Sequence, residues 1–173
     1  MKFEELSLPG VILIKPTIFK DNRGTFMESY HVEKFTSAGI SCTFKQDNHV
    51  RSENNTLRGL HFQTKNPQSK LIGCVSGEIY DVAVDIRKDS SYYGKWIGQK
   101  LSAANHYQLF VPKGFAHGYY VLSDRADVLY KCSDIYYPED ERGVIWNDPG
   151  LCISWPCDSP ILSDKDSMWP LIK

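Results

Sequence analysis

The side chain best suited to move a proton in this sequence is His61, set between an arginine and a glutamine in the short apolar run Leu57-Arg58-Gly59-Leu60-His61-Phe62-Gln63. Imidazole titrates near about 6.5 when nothing perturbs it, so at neutral pH it is mostly free to accept a proton. If the run is a strand, its period of two puts Leu57, Gly59, His61 and Gln63 on one face and turns Arg58 away from them. A histidine aimed inward from a strand is either a hydrogen-bonded core residue or a proton-transfer group, and the run by itself leaves both open. The same choice applies to His117, in Pro112-Lys113-Gly114-Phe115-Ala116-His117-Gly118, as core histidine or as donor to a ligand anion. Other reactive groups read more blandly on their own. Tyr130 lies in an apolar strand, as core residues do, Lys70 follows a polar loop, Asp166 resembles a surface acid near the end of the chain, and Glu28 sits between Phe26 and Tyr30 as an edge residue would.

The elements that must position these groups are mostly strands. Val11-Ile12-Leu13-Ile14 ends before Pro16, and the turn Asp21-Asn22-Arg23-Gly24 leads into an expected strand over 26–30 with Phe26, Glu28 and Tyr30 on one face. Residues 31–39 read as a short helix closed by Gly39, with Val32, Phe35 and Ala38 three apart. The row 44–50, holding Gln46, Asp47, Asn48 and His49, is polar enough for a surface loop or an edge, and 51–56 reads as a loop. The clearest alternation follows Gly77: Tyr80, Val82, Val84 and Ile86 share one face, and Ile79, Asp81, Ala83 and Asp85 the other, so the second face is expected to meet water or a site. Further short strands at 71–75, 96–97, 108–111, 118–122 and 127–131, each bounded by turn residues, predict an all-β sandwich or barrel. From Pro138 onward the chain is rich in Gly, Pro and Asp and carries no such alternation.

Composition narrows the function classes. A chain of 173 residues, 42% hydrophobic and 24% charged, predicts one globular domain over 1–173. The formal charge of −1 speaks against a nucleic-acid partner. No apolar run is long enough for a membrane span, and the acidic N-terminal stretch lacks the apolar centre of a secretory signal, so the expected location is cytoplasmic. Five cysteines without a CxxC pair fit reduced structural thiols better than a disulfide framework or a zinc clip.

The stretch Pro112 to Gly118 resembles the second histidine motif of the cupin superfamily, a double-stranded β-helix or jelly-roll barrel. Cupin metal sites add a His-x-His pair from the first motif, whereas the matching strand here reads His61-Phe62-Gln63, so no metal is expected. Six collinear motifs then make the resemblance specific: Asp21-x-Arg23-Gly24, Gln46-Asp47-Asn48-His49, Leu57 to Gln63, Gly77-Glu78-x-x-Asp81 to Arg87, Pro112-x-Gly114 to Gly118, and Leu162-Ser163-x-Lys165-Asp166. Together they resemble the dTDP-4-dehydrorhamnose 3,5-epimerase family through nearly the whole chain.

That resemblance implies a cupin-type all-β barrel with few short helices, and an isomerase that inverts C3 and C5 of a nucleotide-linked 4-keto-6-deoxy sugar without a cofactor. A monofunctional 3-epimerase or a ketoisomerase on a related nucleotide sugar is the alternative. By resemblance His61 is the base, Asp166 orients it, Tyr130 is the proton donor and Lys70 stabilises the enolate. The same likeness assigns Arg23, Phe26, Glu28, Gln46, Asp47, Asn48, Arg58, His117, Tyr136, Glu141 and Lys165 to substrate binding, with Tyr136 stacking on the thymine ring. It implies a homodimer with exchanged N-terminal strands, in which Arg23 and Glu28 serve the neighbouring site, and a place in dTDP-rhamnose and cell-surface polysaccharide biosynthesis. The chain departs from the family pattern at Thr25, Ser69 and Gly73, where an aromatic, a glycine and an arginine are usual.

Overall fold

The computed structural model describes residues 1–172. Thirteen strands dominate it, with two short helices and a single 3-10 turn. One antiparallel sheet contains β1 (Lys2–Glu5), β2 (Ile12–Lys15), β10 (Gln108–Val111), β7 (Lys70–Ser76), β12 (Arg125–Cys132) and β5 (Gln46–Glu53), in that order. The second runs β13 (Glu141–Gly143), β6 (Leu57–Gln63), β11 (Phe115–Val121), β8 (Glu78–Asp85), β9 (Trp96–Ser102). From β5 to β13 successive strands alternate between the sheets except at the β8–β9 pair, which is the jelly-roll barrel expected from the sequence.

Alternation along each strand makes both faces useful. Leu13, Ile72, Leu109 and Val128 point from the first sheet into the central core, where Ile79, Ala83, Leu101 and Val121 meet them from the second. Each fully buried aliphatic side chain there contributes roughly 1.5–3 kcal/mol relative to exposure. The outward residues Ile12, Ile14, Leu71 and Phe110 are covered by α1 (Val32–Ser37) through Phe35, which is the helix read from the sequence. Gly39 closes it at φ +88°, a left-handed conformation that glycine adopts without a steric penalty. On the other outer face, Leu60, Val82, Val84 and Ala116 lie under the turn-rich C-terminal segment, through Val144, Leu151, Ile153, Trp155 and Ile172. Among the described residues, no helix is long and apolar enough to cross a membrane.

Three local expectations are corrected. The strand expected over 26–30 ends at Met27: β3 (Ile18–Asp21) and β4 (Gly24–Met27) form a hairpin that joins neither sheet. Glu28 beyond it bonds Lys34, and Tyr30 packs on Phe35 and Phe44. The row 44–50 is an edge strand from Gln46, one of the two forms expected, but the loop expected over 51–56 begins later: β5 runs on to Glu53, with Gln46 and Asn48 turned inward to a polar cavity, Ser52 buried beside Tyr119, and Asp47, His49 and Arg51 facing outward. Asp81 and Asp85, expected to meet water or a site, are both 0% exposed; His117 satisfies the first, and Arg87 and Ser90 the second.

Candidate active site

At one end of the barrel the two sheets separate around a cavity of about 520 Å³. Gln46, Asn48, Lys70, Tyr130 and Cys132 line it from the six-stranded sheet, and Arg58, His61, His117 and Tyr119 from the five-stranded one. Tyr136, Glu141, Lys165 and Asp166, from the C-terminal third, complete the wall.

Arg58 and His61 reach this cavity together because β6 is bulged. His117 lies opposite His61 but Tyr119 lies opposite Arg58, so three steps along β6 match two along β11. That extra residue reverses the alternation, and Arg58 is not turned away as strict periodicity predicts. Gly59 makes the bulge feasible. It sits at φ +116°, and a Cβ there would lie 2.6 Å from Gly118 Cα and 2.7 Å from the His117 carbonyl. Arg58 is held in place by Nε donating to Ser52 Oγ at 2.9 Å, and Ser52 Oγ lies 3.1 Å from Tyr119 Oη.

His61 Nε2 is 2.6 Å from Asp166 Oδ1. With Nε2–H donating to that carboxylate, Nδ1 carries the free lone pair, on the side where Glu141 Oε1 lies 3.9 Å away. Asp166 arrives on α2 (Asp164–Ser167), a one-turn helix whose N-cap Ser163 Oγ accepts from the Asp166 N–H at 3.1 Å. Burial opposes its charge, but hydrogen bonds from His61, Gly59 N–H and Trp169 outweigh burial and hold its carboxyl below the usual carboxylate range. Glu141 is likewise kept ionised against the cost of burial, by Lys165 Nζ at 2.5 Å and Tyr136 Oη at 2.8 Å.

Across the cavity, burial, aided by neighbouring negative charge, pushes the Tyr130 phenol up to about 12. Tyr130 therefore stays protonated at neutral pH, as a proton donor must. Lys70 Nζ lies 6.0 Å from the Tyr130 ring centroid; burial lowers its pKa, and Cys132, Glu141 and Asp81 counteract that in part. His117 shares its Nε2 with both oxygens of Asp81, at 3.1 and 2.9 Å. Gln46 ties the wall to the rim by accepting the Tyr136 N–H at 2.8 Å and donating to Asn48 Oδ1 at 2.9 Å.

Not every residue expected here is present. Asp47 faces outward to Lys131 at 2.9 Å and does not line the cavity, because it alternates with Gln46 and Asn48 along β5. Arg23, Phe26 and Glu28 do not line the cavity of their own chain: Arg23, its side chain 85% exposed, pairs with Asp21 at 2.6 Å on the hairpin, where Phe26 also lies. Sequence reasoning missed Ser52, Tyr119, Cys132 and Trp169. The first three fall on inward positions of strands whose register was not legible, and nothing in the sequence marks Trp169 beyond its nearness to Asp166. Among the described residues, no group of three His, Cys, Asp or Glu side chains is placed to hold a metal ion.

A family model described as dTDP-4-dehydrorhamnose 3,5-epimerase matches residues 5–173. A dTDP-4-dehydrorhamnose 3,5-epimerase of Pseudomonas aeruginosa is 50% identical over 168 residues, spanning 96% of this chain and 93% of its own. The structure of the dTDP-4-dehydrorhamnose 3,5-epimerase of Bacillus anthracis, with TDP and PPi bound, superposes with a TM-score of 0.96 at 48% identity, covering 98% of both chains. That of the Legionella pneumophila dTDP-6-deoxy-D-glucose-3,5-epimerase, in complex with dTDP-4-keto-L-rhamnose, also gives a TM-score of 0.96, at 43% identity over 99% of this chain and 92% of that one. A six-motif likeness in sequence, an all-β barrel with its polar cavity at one end, and full-length similarity of this degree converge: the chain belongs to the dTDP-4-dehydrorhamnose 3,5-epimerase family.

Proposed function

We propose that the protein inverts C3 and C5 of dTDP-4-dehydro-6-deoxy-D-glucose to give dTDP-4-dehydro-L-rhamnose, as an isomerase that works by proton transfer through an enolate. The observation that carries this reading is an imidazole and a protonated phenol, His61 and Tyr130, lining one cavity from opposite sheets. His61 Nδ1 takes the proton from the carbon beside the ketone, and the C–H electrons move onto the ketone oxygen. Asp166 stabilises the imidazolium so formed. Lys70 stabilises the enolate oxygen. When the electrons return, Tyr130 Oη delivers a proton to the opposite face, and the imidazolium and phenolate reset by exchange with solvent. Burial makes that phenolate unfavourable, which favours its reprotonation.

Arg58 is suited to the diphosphate, because a guanidinium presents a planar fork of donors to phosphate oxygens. His117, Lys165, Glu141, Gln46 and Asn48 are assigned to the sugar and nucleotide, and Tyr136 to stacking on the base. Arg23, Phe26 and Glu28 enter the reading only in a homodimer with exchanged N-terminal hairpins. The hairpin supports this assembly: it pairs with no other strand and leaves Phe26 70% exposed.

Proton NMR of the keto sugar nucleotide in deuterated water tests the chemistry. Deuterium is expected at both C3 and C5, and His61→Ala is expected to abolish exchange while nucleotide affinity stays within about three-fold. Incorporation at C3 alone identifies a 3-epimerase, and binding without any exchange ends the enzymatic reading.

A further inference from the structure

Asp166 and the tail behind it hold a contact that the proton-transfer steps above do not use. Asp166 is 3% exposed, and its Oδ1 receives two donors: His61 Nε2 at 2.6 Å and the indole Nε1–H of Trp169 at 3.2 Å. Oδ2 accepts the Gly59 N–H at 3.3 Å. We propose that Trp169 is a positioning residue for the His61–Asp166 pair, its indole N–H fixing the carboxylate oxygen that His61 uses and limiting the charge that oxygen offers to the imidazole.

Trp169 does not line the catalytic cavity; it lines a separate groove on the outer side of β6 and β13, so any effect on chemistry passes through Asp166. Its ring is seated on Gly143, opposite His61 in the β13–β6 register, where a Cβ would lie 2.4 Å from indole Cδ2. The indole stands 71° to the His61 ring with centroids 6.1 Å apart, so it meets the imidazole by an edge while its N–H is committed to the carboxylate. Hydrogen bonds to a carboxylate disperse its charge. A second donor on Oδ1 therefore weakens the pull on the His61 proton and opposes rotation of the carboxylate.

The other charged or titratable groups near the pair are not themselves altered by substituting the indole. These are Glu141 on β13 with Lys165 on α2, Arg58 on β6, His117 on β11 with Asp81 on β8, and Lys70 and Tyr130 on the opposite sheet. Trp169→Phe keeps an aromatic ring over Gly143 and removes the donor.

Two readouts decide the matter. The first, independent of turnover, is the pH midpoint at which the His61 ring resonances change in NMR of the free protein. It is expected to move to higher pH by about half a unit in Trp169→Phe, since the carboxylate then holds the imidazolium more strongly. The second rests on the epimerase reading: the acidic limb of kcat/KM moves in the same direction, with kcat reduced a few-fold and KM unchanged, because Trp169 is outside the cavity. Gly143→Ala, which displaces the indole without changing it, is expected to reproduce the midpoint shift and decides alone if Trp169→Phe does not fold. Loss of thermal stability with the His61 midpoint unmoved or lowered overturns the inference, leaving Trp169 a packing residue. A shifted midpoint in a protein that never epimerises the sugar nucleotide would instead sustain the inference and remove the epimerase reading.

Discussion

Tyr130 shows how one side chain serves packing and chemistry together. The side chain packs against the central core and lines the cavity, and burial raises the phenol to about 12. Removing only that hydroxyl separates its role from that of His61. Tyr130→Phe is expected to lower overall inversion by about 10²–10⁴-fold while solvent deuterium still enters the substrate at the carbon that His61 deprotonates, as read by NMR in deuterated water. Equal loss of exchange and inversion would assign Tyr130 no separate step. At this scale the sequence was informative only through the six motifs. Tyr130, Lys70 and Asp166 each have an ordinary reading in isolation, and only the fold shows that residues 70, 130 and 166 share one cavity with residue 61. Asp47 illustrates the limit of a motif: it adjoins Gln46 and Asn48 in sequence, yet alternation sends it to the other face of β5.

Among the elements, β6 matters most to the site, and its irregularity is what a period-two reading could not supply. Alternation is a property of regular pairing, so the extra residue that sets Gly59 and Leu60 against Gly118 alone is invisible until the partner strand is known. Gly59 carries both the backbone conformation and the close approach to Gly118. Gly59→Ala is expected to cost about 3 kcal/mol, seen as a fall of roughly 6–12 °C in Tm, and to lower kcat/KM through displaced Arg58 and His61. An alanine variant with unchanged Tm and activity would show that the bulge does not depend on glycine. Strands such as β7, β8 and β12 were legible as short apolar runs bounded by turn residues, although burial on both of their faces leaves no simple alternation of exposure. The edge strand β5 was only half legible, since a polar cavity on one side and solvent on the other remove the contrast on which that pattern depends. Helix α2 is a single turn, too short to leave a period.

At the scale of the whole molecule, the β3–β4 hairpin stands apart from both sheets. It carries Arg23 and Phe26 away from the cavity to which the sequence motifs attach them. The exchange proposed above predicts complementation. Arg23→Ala and His61→Ala, each strongly impaired alone, are expected to recover about a quarter of wild-type activity when co-expressed, because random pairing makes half the dimers mixed and each mixed dimer has one intact site. Activity no greater than the average of the two separate variants would show that Arg23 does not act across subunits. The barrel body, by contrast, was readable early: short strands at turn-bounded spacing, with hydrophobic faces on both sides of two sheets, leave few other ways to bury them.

Tyr119 and Tyr130 belong both to the packing that holds the barrel together and to the wall of the cavity. Repacking deep in the barrel is therefore transmitted to the height at which a proton is handed over, and heat tolerance and turnover in this chain are bound to the same few atoms.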